Sequence, residues 1–139
     1  MFCYDYPRPA VTVDIVVLSG EVPDVLLIQR KHPPFEGYWA LPGGFIEMEE
    51  SLEASALREL EEETGVTDVP LTEVGAFSDP LRDPRGRVIT IAYVTVVEKP
   101  LNVKAGSDAS EASWFPSTEL PKLAFDHNQI IRKALDKLK

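Results

Sequence analysis

At 139 residues the chain is long enough to bury a real core, and it reads as one domain over residues 1–139. A net charge of −9 with no basic run argues against a nucleic-acid partner, and the single cysteine, Cys3, excludes an intramolecular disulfide or a thiolate zinc cluster. No apolar run reaches membrane-spanning length, and MFCYDYPRP lacks a basic segment followed by an apolar one, so a soluble cytoplasmic protein without a membrane partner is expected.

In chain order, Val11 to Leu18 (VTVDIVVL) predicts a β-branched strand, and SGEVPD turns it into a second, Val25 to Gln29. Asp14 interrupts the first strand and implies either an exposed face or a polar partner. Arg30 to Tyr38 is polar and aromatic, with Pro33-Pro34 predicting an extended path. Arg30, Phe35 and Tyr38 are candidate substrate contacts, although both rings would serve equally to pack the loop on the core. Trp39-Ala40-Leu41-Pro42-Gly43-Gly44 follows. Its paired glycines allow either a tight turn or a backbone approach close enough for a carbonyl to reach an ion or a phosphate.

The negative charge is local. Between Gly44 and Val66 eight acids face Arg58 alone, whereas the remainder carries fifteen acids and thirteen bases. Ser51 is a good N-cap for a helix from Leu52 to Thr64, and Gly65 a good stop. Leu52, Ala56 and Leu60, with Leu57 beside them, give the buried stripe. Glu59, Glu62 and Glu63 then share one side, where they repel one another near the C-terminal, negative end of the helix dipole. A solvated acidic face would tolerate this; a hard divalent cation would remove both penalties.

The pattern around the cluster separates the two. Gly44, five residues, Glu50, seven residues, Arg58-Glu59-Leu60, one residue, Glu62-Glu63, one residue, Gly65-Val66 resembles the Nudix box at all nine specified positions. The resemblance implies an α/β protein with a Nudix-type α/β/α sandwich around a mixed central sheet. It further implies that Glu59, Glu62 and Glu63, with the Gly44 backbone, bind Mg²⁺, for which Mn²⁺ can substitute. Arg58 is then expected to order the glutamates, and Glu50 to lie near the metals.

Beyond the helix, Leu71 to Phe77 and Val88 to Val97 predict two strands, the second apolar on both faces and therefore central. The loop between them holds two Asp-Pro steps and three arginines, Arg82, Arg85 and Arg87. Taken alone it is a charged turn; beside an acidic helix its guanidinium forks could clamp a pyrophosphate. Lys99 to Ser110 reads as a connection and Ala112 to Phe115 as a short strand. Glu111 is either a general base or a loop cap. Asp126 and Gln129 predict a capping arrangement for a last helix on Ile130, Ala134 and Leu138, and His127 is assigned a structural role.

LPGGF, the box, the DPRGR loop and LAFDH together resemble the ADP-ribose pyrophosphatase branch over about Val11 to Leu138. That likeness implies hydrolysis of ADP-ribose to AMP and ribose 5-phosphate, and a homodimer. Two alternatives stay open. One is removal of oxidised nucleoside triphosphates. The other is a non-catalytic effector-binding domain, such as the sensor half of Nudix-related transcription regulators. The intact set of glutamates, and a chain that ends at Lys139 without a following DNA-binding domain, weigh against the second.

Overall fold

The computed structural model describes residues 3–98, 106 and 109–139. The expected connection from Lys99 to Ser110 lies largely outside them. The elements run β1 (Ala10–Ser19), β2 (Asp24–Arg30), β3 (Trp39–Ala40), β4 (Gly43–Phe45), α1 (Leu52–Thr64), β5 (Thr72–Phe77), β6 (Val88–Val96), β7 (Ala109–Pro116) and α2 (His127–Lys137).

Side chains alternate across β1, so its two faces serve two cores. Val13, Ile15 and Val17 pack with Leu26 and Tyr93 against Ala56 and Leu60 of α1. Val16 and Leu18 pack with Val25, Leu27 and Val94 against Ile130, Ile131 and Ala134 of α2. One helix therefore covers each face, and the expected α/β/α sandwich with a mixed sheet is present. β6 runs parallel to β1 from Ala10↔Val88 to Leu18↔Val96 and antiparallel to β5 on its other edge, the central position its sequence predicts.

The site is made by a split in this sheet. β1 and β2 pair only beside their turn, at Leu18↔Val25 and Ser19↔Asp24. Beyond that they diverge. β3 continues the pairing along β2 (Ile28↔Ala40), β4 continues it along β1 (Val13↔Gly44), and Leu41-Pro42 crosses the wedge between them. On its outer edge β2 pairs with β7.

α1 has the predicted limits. The Ser51 side chain accepts from the Ala54 N–H (3.1 Å), and Gly65 closes the helix at φ 80°, in the left-handed region that favours glycine. Two expectations are corrected, and two short strands are added. The Pro33-Pro34 peptide is cis and the segment turns back on itself, the Gly37 N–H donating to the Arg30 carbonyl, instead of running extended. β3 and β4, too short to show a period, were not foreseen. Asp126 stands at the N-cap of α2 without a side-chain capping hydrogen bond, because its carboxylate is engaged by Arg82.

Ser51→Ala removes the side-chain acceptor of the α1 cap. A loss of about 1 kcal/mol of stability is expected, read from urea denaturation at unchanged m-value.

Candidate active site

A cleft of about 430 Å³ opens at the split, within the roughly 300–1,000 Å³ usual for small-molecule sites. One wall is acidic, with Glu59 and Glu63 of α1, Glu47, and the backbone of Gly43 and Gly44. Arg30, Arg82, Asp83, Arg85 and Phe125 form the other, and Asp14 and His127 also line the cleft.

Helical geometry explains which glutamates face inward. Glu59 and Glu63 are separated by about 40° around the axis, whereas Glu62 lies about 100° from Glu63. Accordingly Glu63 is buried (5 % exposed) and Glu59 nearly so, while the Glu62 side chain is 45 % exposed and sits outside the cleft wall. The Gly43 N–H donates to Glu63 Oε1 at 2.9 Å.

Arg58 ties the other acids together. Its Nε donates to both Glu50 oxygens (2.9 and 3.0 Å), and its second nitrogen reaches Glu59 Oε1 (2.8 Å) and Glu62 Oε2 (3.4 Å). Burial pulls the guanidinium pKa down, but these carboxylates outweigh it and raise the value. Burial opposes ionisation of Glu50 too, yet hydrogen bonds from Ser55 and Arg58 hold its carboxyl below the usual range. Glu50 is thus joined to Glu59 through Arg58 and does not line the cleft.

The three-arginine clamp expected from the loop does not assemble. Arg82 is almost wholly buried (side chain 3 % exposed) and forms a fork with Asp126, Nε to Oδ2 at 2.8 Å and a terminal nitrogen to Oδ1 at 2.7 Å. Arg85 stays on the cleft wall, forked onto Asp83 and lying 5.0 Å from the Phe45 ring centroid and 5.3 Å from that of Phe125. Burial pushes the Asp83 carboxyl up, but Arg85 and the Arg85 N–H bring it below its ordinary value. Arg87 is exposed and does not line the cleft. Arg30 does: its Nε donates to the Pro34 carbonyl (2.7 Å) and its guanidinium lies 5.1 Å from the Phe125 ring centroid.

Of the two candidate stacking rings, Phe35 packs edge-on against Phe125 and Tyr38 (centroids 4.9 and 5.5 Å), and neither Phe35 nor Tyr38 lines the cleft. Phe35 packs onto the core, whereas Tyr38 is exposed and touches Phe35 edge-on. Glu111 lies within β7 opposite Gln29, exposed and away from the cleft, so the loop position expected for a general base is corrected.

Sequence reasoning underrated Asp14 and His127 and missed Phe45, Glu47, Asp83 and Phe125. Of the two settings expected for Asp14, an exposed face or a polar partner, the second is found: it is buried, and Thr90 donates to its Oδ2 at 2.6 Å. Its Oδ1 faces His127 Nε2 at 3.5 Å, and His127 Nδ1 accepts from the Leu41 N–H at 3.0 Å. Burial pushes the His127 pKa below the ordinary histidine value against the pull of Asp14 and Asp126. Because it accepts the Leu41 N–H, Nδ1 is the unprotonated nitrogen. Burial pushes Asp14 up, with His127, Thr90 and Arg82 opposing.

The glycines are required by proximity. A Cβ on Gly43 would strike the Val13 carbonyl and stand 2.6 Å from Asp14 Oδ1; one on Gly44 would stand 2.7 Å from the Glu59 carboxylate. The oxygen donors along this wall suit a hard divalent cation. Among the described residues no three His, Cys, Asp or Glu side chains converge as a ready ligand cluster, Arg58 holding Glu59 and Glu62 and the Gly43 N–H holding Glu63.

Comparison with known proteins places this architecture. The NUDIX domain profile matches residues 8–138. The chain belongs to the Nudix family and is a Nudix hydrolase. It is 46 % identical over 127 residues to the ADP-ribose pyrophosphatase of Methanocaldococcus jannaschii, covering 91 % of this chain and 73 % of that protein. Identity is 36 % over 141 residues to the ADPR responsive transcriptional repressor NtrR of Acinetobacter baylyi, covering 96 % of this chain and 56 % of that one. The NUDIX domain of Shewanella oneidensis NrtR complexed with ADP ribose superposes with a TM-score of 0.90 at 34 % identity, covering 98 % and 94 % of the two chains.

Three single substitutions and one double replacement test the geometry. Gly44→Ala meets only the end of the Glu59 side chain, so weaker divalent-cation binding is expected at a near-wild-type melting temperature. Gly43→Ala meets backbone and lowers the melting temperature. Asp126→Ala leaves Arg82 buried without its fork partner and should cost roughly 3 kcal/mol in urea denaturation. Replacing both residues with apolar ones should restore most of that loss.

Proposed function

We propose that this chain hydrolyses the pyrophosphate bond of a nucleoside diphosphate linked to a second group, with ADP-ribose as the substrate. Water adds to one phosphorus, the bridging oxygen leaves with the other, and the products are AMP and ribose 5-phosphate. The observation that carries this reading is the pairing of an acidic wall with a guanidinium wall across a nucleotide-sized cleft. Similarity to an ADP-ribose pyrophosphatase supports the choice of substrate.

The charge of the cleft supports a metal requirement. Five carboxylates line it (Asp14, Glu47, Glu59, Glu63, Asp83) against three guanidinium groups, of which Arg82 is forked onto Asp126 and Arg85 onto Asp83. A pyrophosphate would meet net repulsion there without a cation. Glu59 and Glu63, with Glu62 at the rim and the Gly44 backbone, are the residues that would hold Mg²⁺ or Mn²⁺. Bound there, the ion supplies charge neutralisation and a more acidic water.

The protein's own groups supply alignment and the remaining electrostatics. Arg58 keeps Glu59 and Glu62 oriented against their mutual repulsion, and the Gly43 N–H fixes Glu63. Arg85 and Arg30 present positive charge from the opposite wall, suited to the phosphates as negative charge develops on the departing oxygen. Phe45, half exposed, and Phe125 offer apolar faces beside them.

A second reading has its own support in the likeness to ADP-ribose-responsive repressors: binding of the same ligand without turnover. Product analysis separates the two. With Mg²⁺ present, AMP and ribose 5-phosphate are expected to form faster from ADP-ribose than products from diadenosine polyphosphates, NADH, or normal and 8-oxo nucleoside triphosphates. Pyrophosphate released mainly from the triphosphates would move the substrate to that class. Thermal stabilisation by ADP-ribose with no product would favour the binding reading. Glu62→Gln and Glu63→Gln should each lower kcat by more than the roughly 100-fold upper end of outer-shell effects, with the fold retained; full activity in both would remove the metal assignment.

A further inference from the structure

Beside the glutamates, Asp14 and His127 of the cleft lining belong to a buried polar chain to which the proposed reaction assigns no positioning role. Thr90 donates to Asp14 at 2.6 Å, Asp14 faces His127 at 3.5 Å, and His127 Nδ1 accepts from the Leu41 N–H at 3.0 Å. All three side chains are buried, and they come from β6, β1 and the start of α2. Two residues past Leu41, the Gly43 N–H donates to Glu63 Oε1 at 2.9 Å. The Leu41–Gly43 backbone is thus anchored to His127 at one end and to a cleft carboxylate at the other. Pro42 between them stiffens the link, its φ fixed by the ring and its carbonyl accepting from Ile15 N–H at 2.9 Å.

From this geometry we propose that His127, backed by Asp14 and Thr90, is a positioning residue that sets Glu63 for cation binding through the Leu41–Gly43 backbone. The proposal rests on the reading of Glu63 as a metal-holding carboxylate, not on the identity of the substrate. A neutral imidazole backed by an acid is suited to the task. The Leu41 N–H requires an acceptor, and Nδ1 of a ring buried beside Asp14 supplies it. Outer groups that orient ligands change metal affinity by roughly 10–100-fold when removed.

The test measures backbone and metal separately. His127→Phe keeps a ring but removes the acceptor, and His127→Asn restores an acceptor oxygen near the position of Nδ1. Amide hydrogen exchange at Leu41 and Gly43, and Mn²⁺ affinity without substrate, are compared with wild type at matched global stability. In His127→Phe both amides should exchange faster and Mn²⁺ binding should weaken roughly 10-fold or more, with His127→Asn recovering most of the loss. Faster exchange at Leu41 alone, with Gly43 protection and Mn²⁺ affinity unchanged, would mark His127 as merely structural and overturn the proposal. If His127→Phe does not fold, Asp14→Asn is read by the same two measurements, and unchanged values overturn the proposal equally. A wild-type protein that binds Mn²⁺ but leaves ADP-ribose intact removes the substrate reading and leaves this one standing. One that binds no Mn²⁺ removes this one.

Discussion

Between Trp39 and Phe45 the chain crosses from β2 to β1, and the split sheet, the cleft and the seat of α1 are all built on that crossing. Two strands that pair only beside their turn leave a wedge, and the chain fills it by leaving one ladder and joining the other. A buried backbone at such a crossing must find partners outside the sheet. Three consecutive positions meet that demand in three ways. Leu41 donates to His127, Pro42 has no N–H to satisfy, and Gly43 donates to Glu63. An orphaned Leu41 donor would cost about 1–3 kcal/mol, so the histidine is part of the fold before it is part of any chemistry. Because Gly43 reaches a carboxylate of α1, the same crossing that splits the sheet also ties the acidic helix to it.

Charge is arranged against the stability of α1. Glu59, Glu61, Glu62 and Glu63 crowd its C-terminal half, and its last turn holds no basic residue to complement the dipole. Arg58 offsets part of the repulsion by engaging three glutamates at once, one of them, Glu50, from outside the helix. The Gly43 N–H offsets another part. What remains is an excess of negative potential on one side of a cleft whose other side is positive. A neutral ligand gains little from such a field. A phosphate anhydride accompanied by a divalent cation would match both walls.

Features decided locally were legible in the sequence. Both ends of α1 followed from Ser51 and Gly65, and the central place of β6 from its two apolar faces. Helical spacing and the box put Glu59, Glu62 and Glu63 on one side together, whereas Glu59 and Glu63 line the cleft and Glu62 lies outside it. Features decided by distant partners were not. Three arginines within six residues suggest one clamp, but Arg82 is claimed by Asp126, 44 positions away, and Arg85 by its neighbour Asp83. β3 and β4 exist only because β1 and β2 diverge, which no local pattern records. Glu111 was expected on a loop, yet β7 extends the short strand predicted from Ala112 back to Ala109 and pairs Glu111 with Gln29.

Phe125, Asp126 and His127 show how one short run serves several distant partners. Phe125 adopts a left-handed backbone at φ 52°, a conformation that costs a non-glycine residue about 1 kcal/mol or more. At that bend the three side chains part company: the ring to the cleft wall, the carboxylate to Arg82, and the imidazole to Leu41. Asp126 stands where it could cap α2, and a cap contributes about 1 kcal/mol. Leaving a buried arginine unpaired costs roughly 3 kcal/mol or more. The larger penalty wins, and α2 starts without a side-chain cap. The loop arginine is thereby fixed to the helix that begins with His127, so the guanidinium wall and the crossing share one anchor.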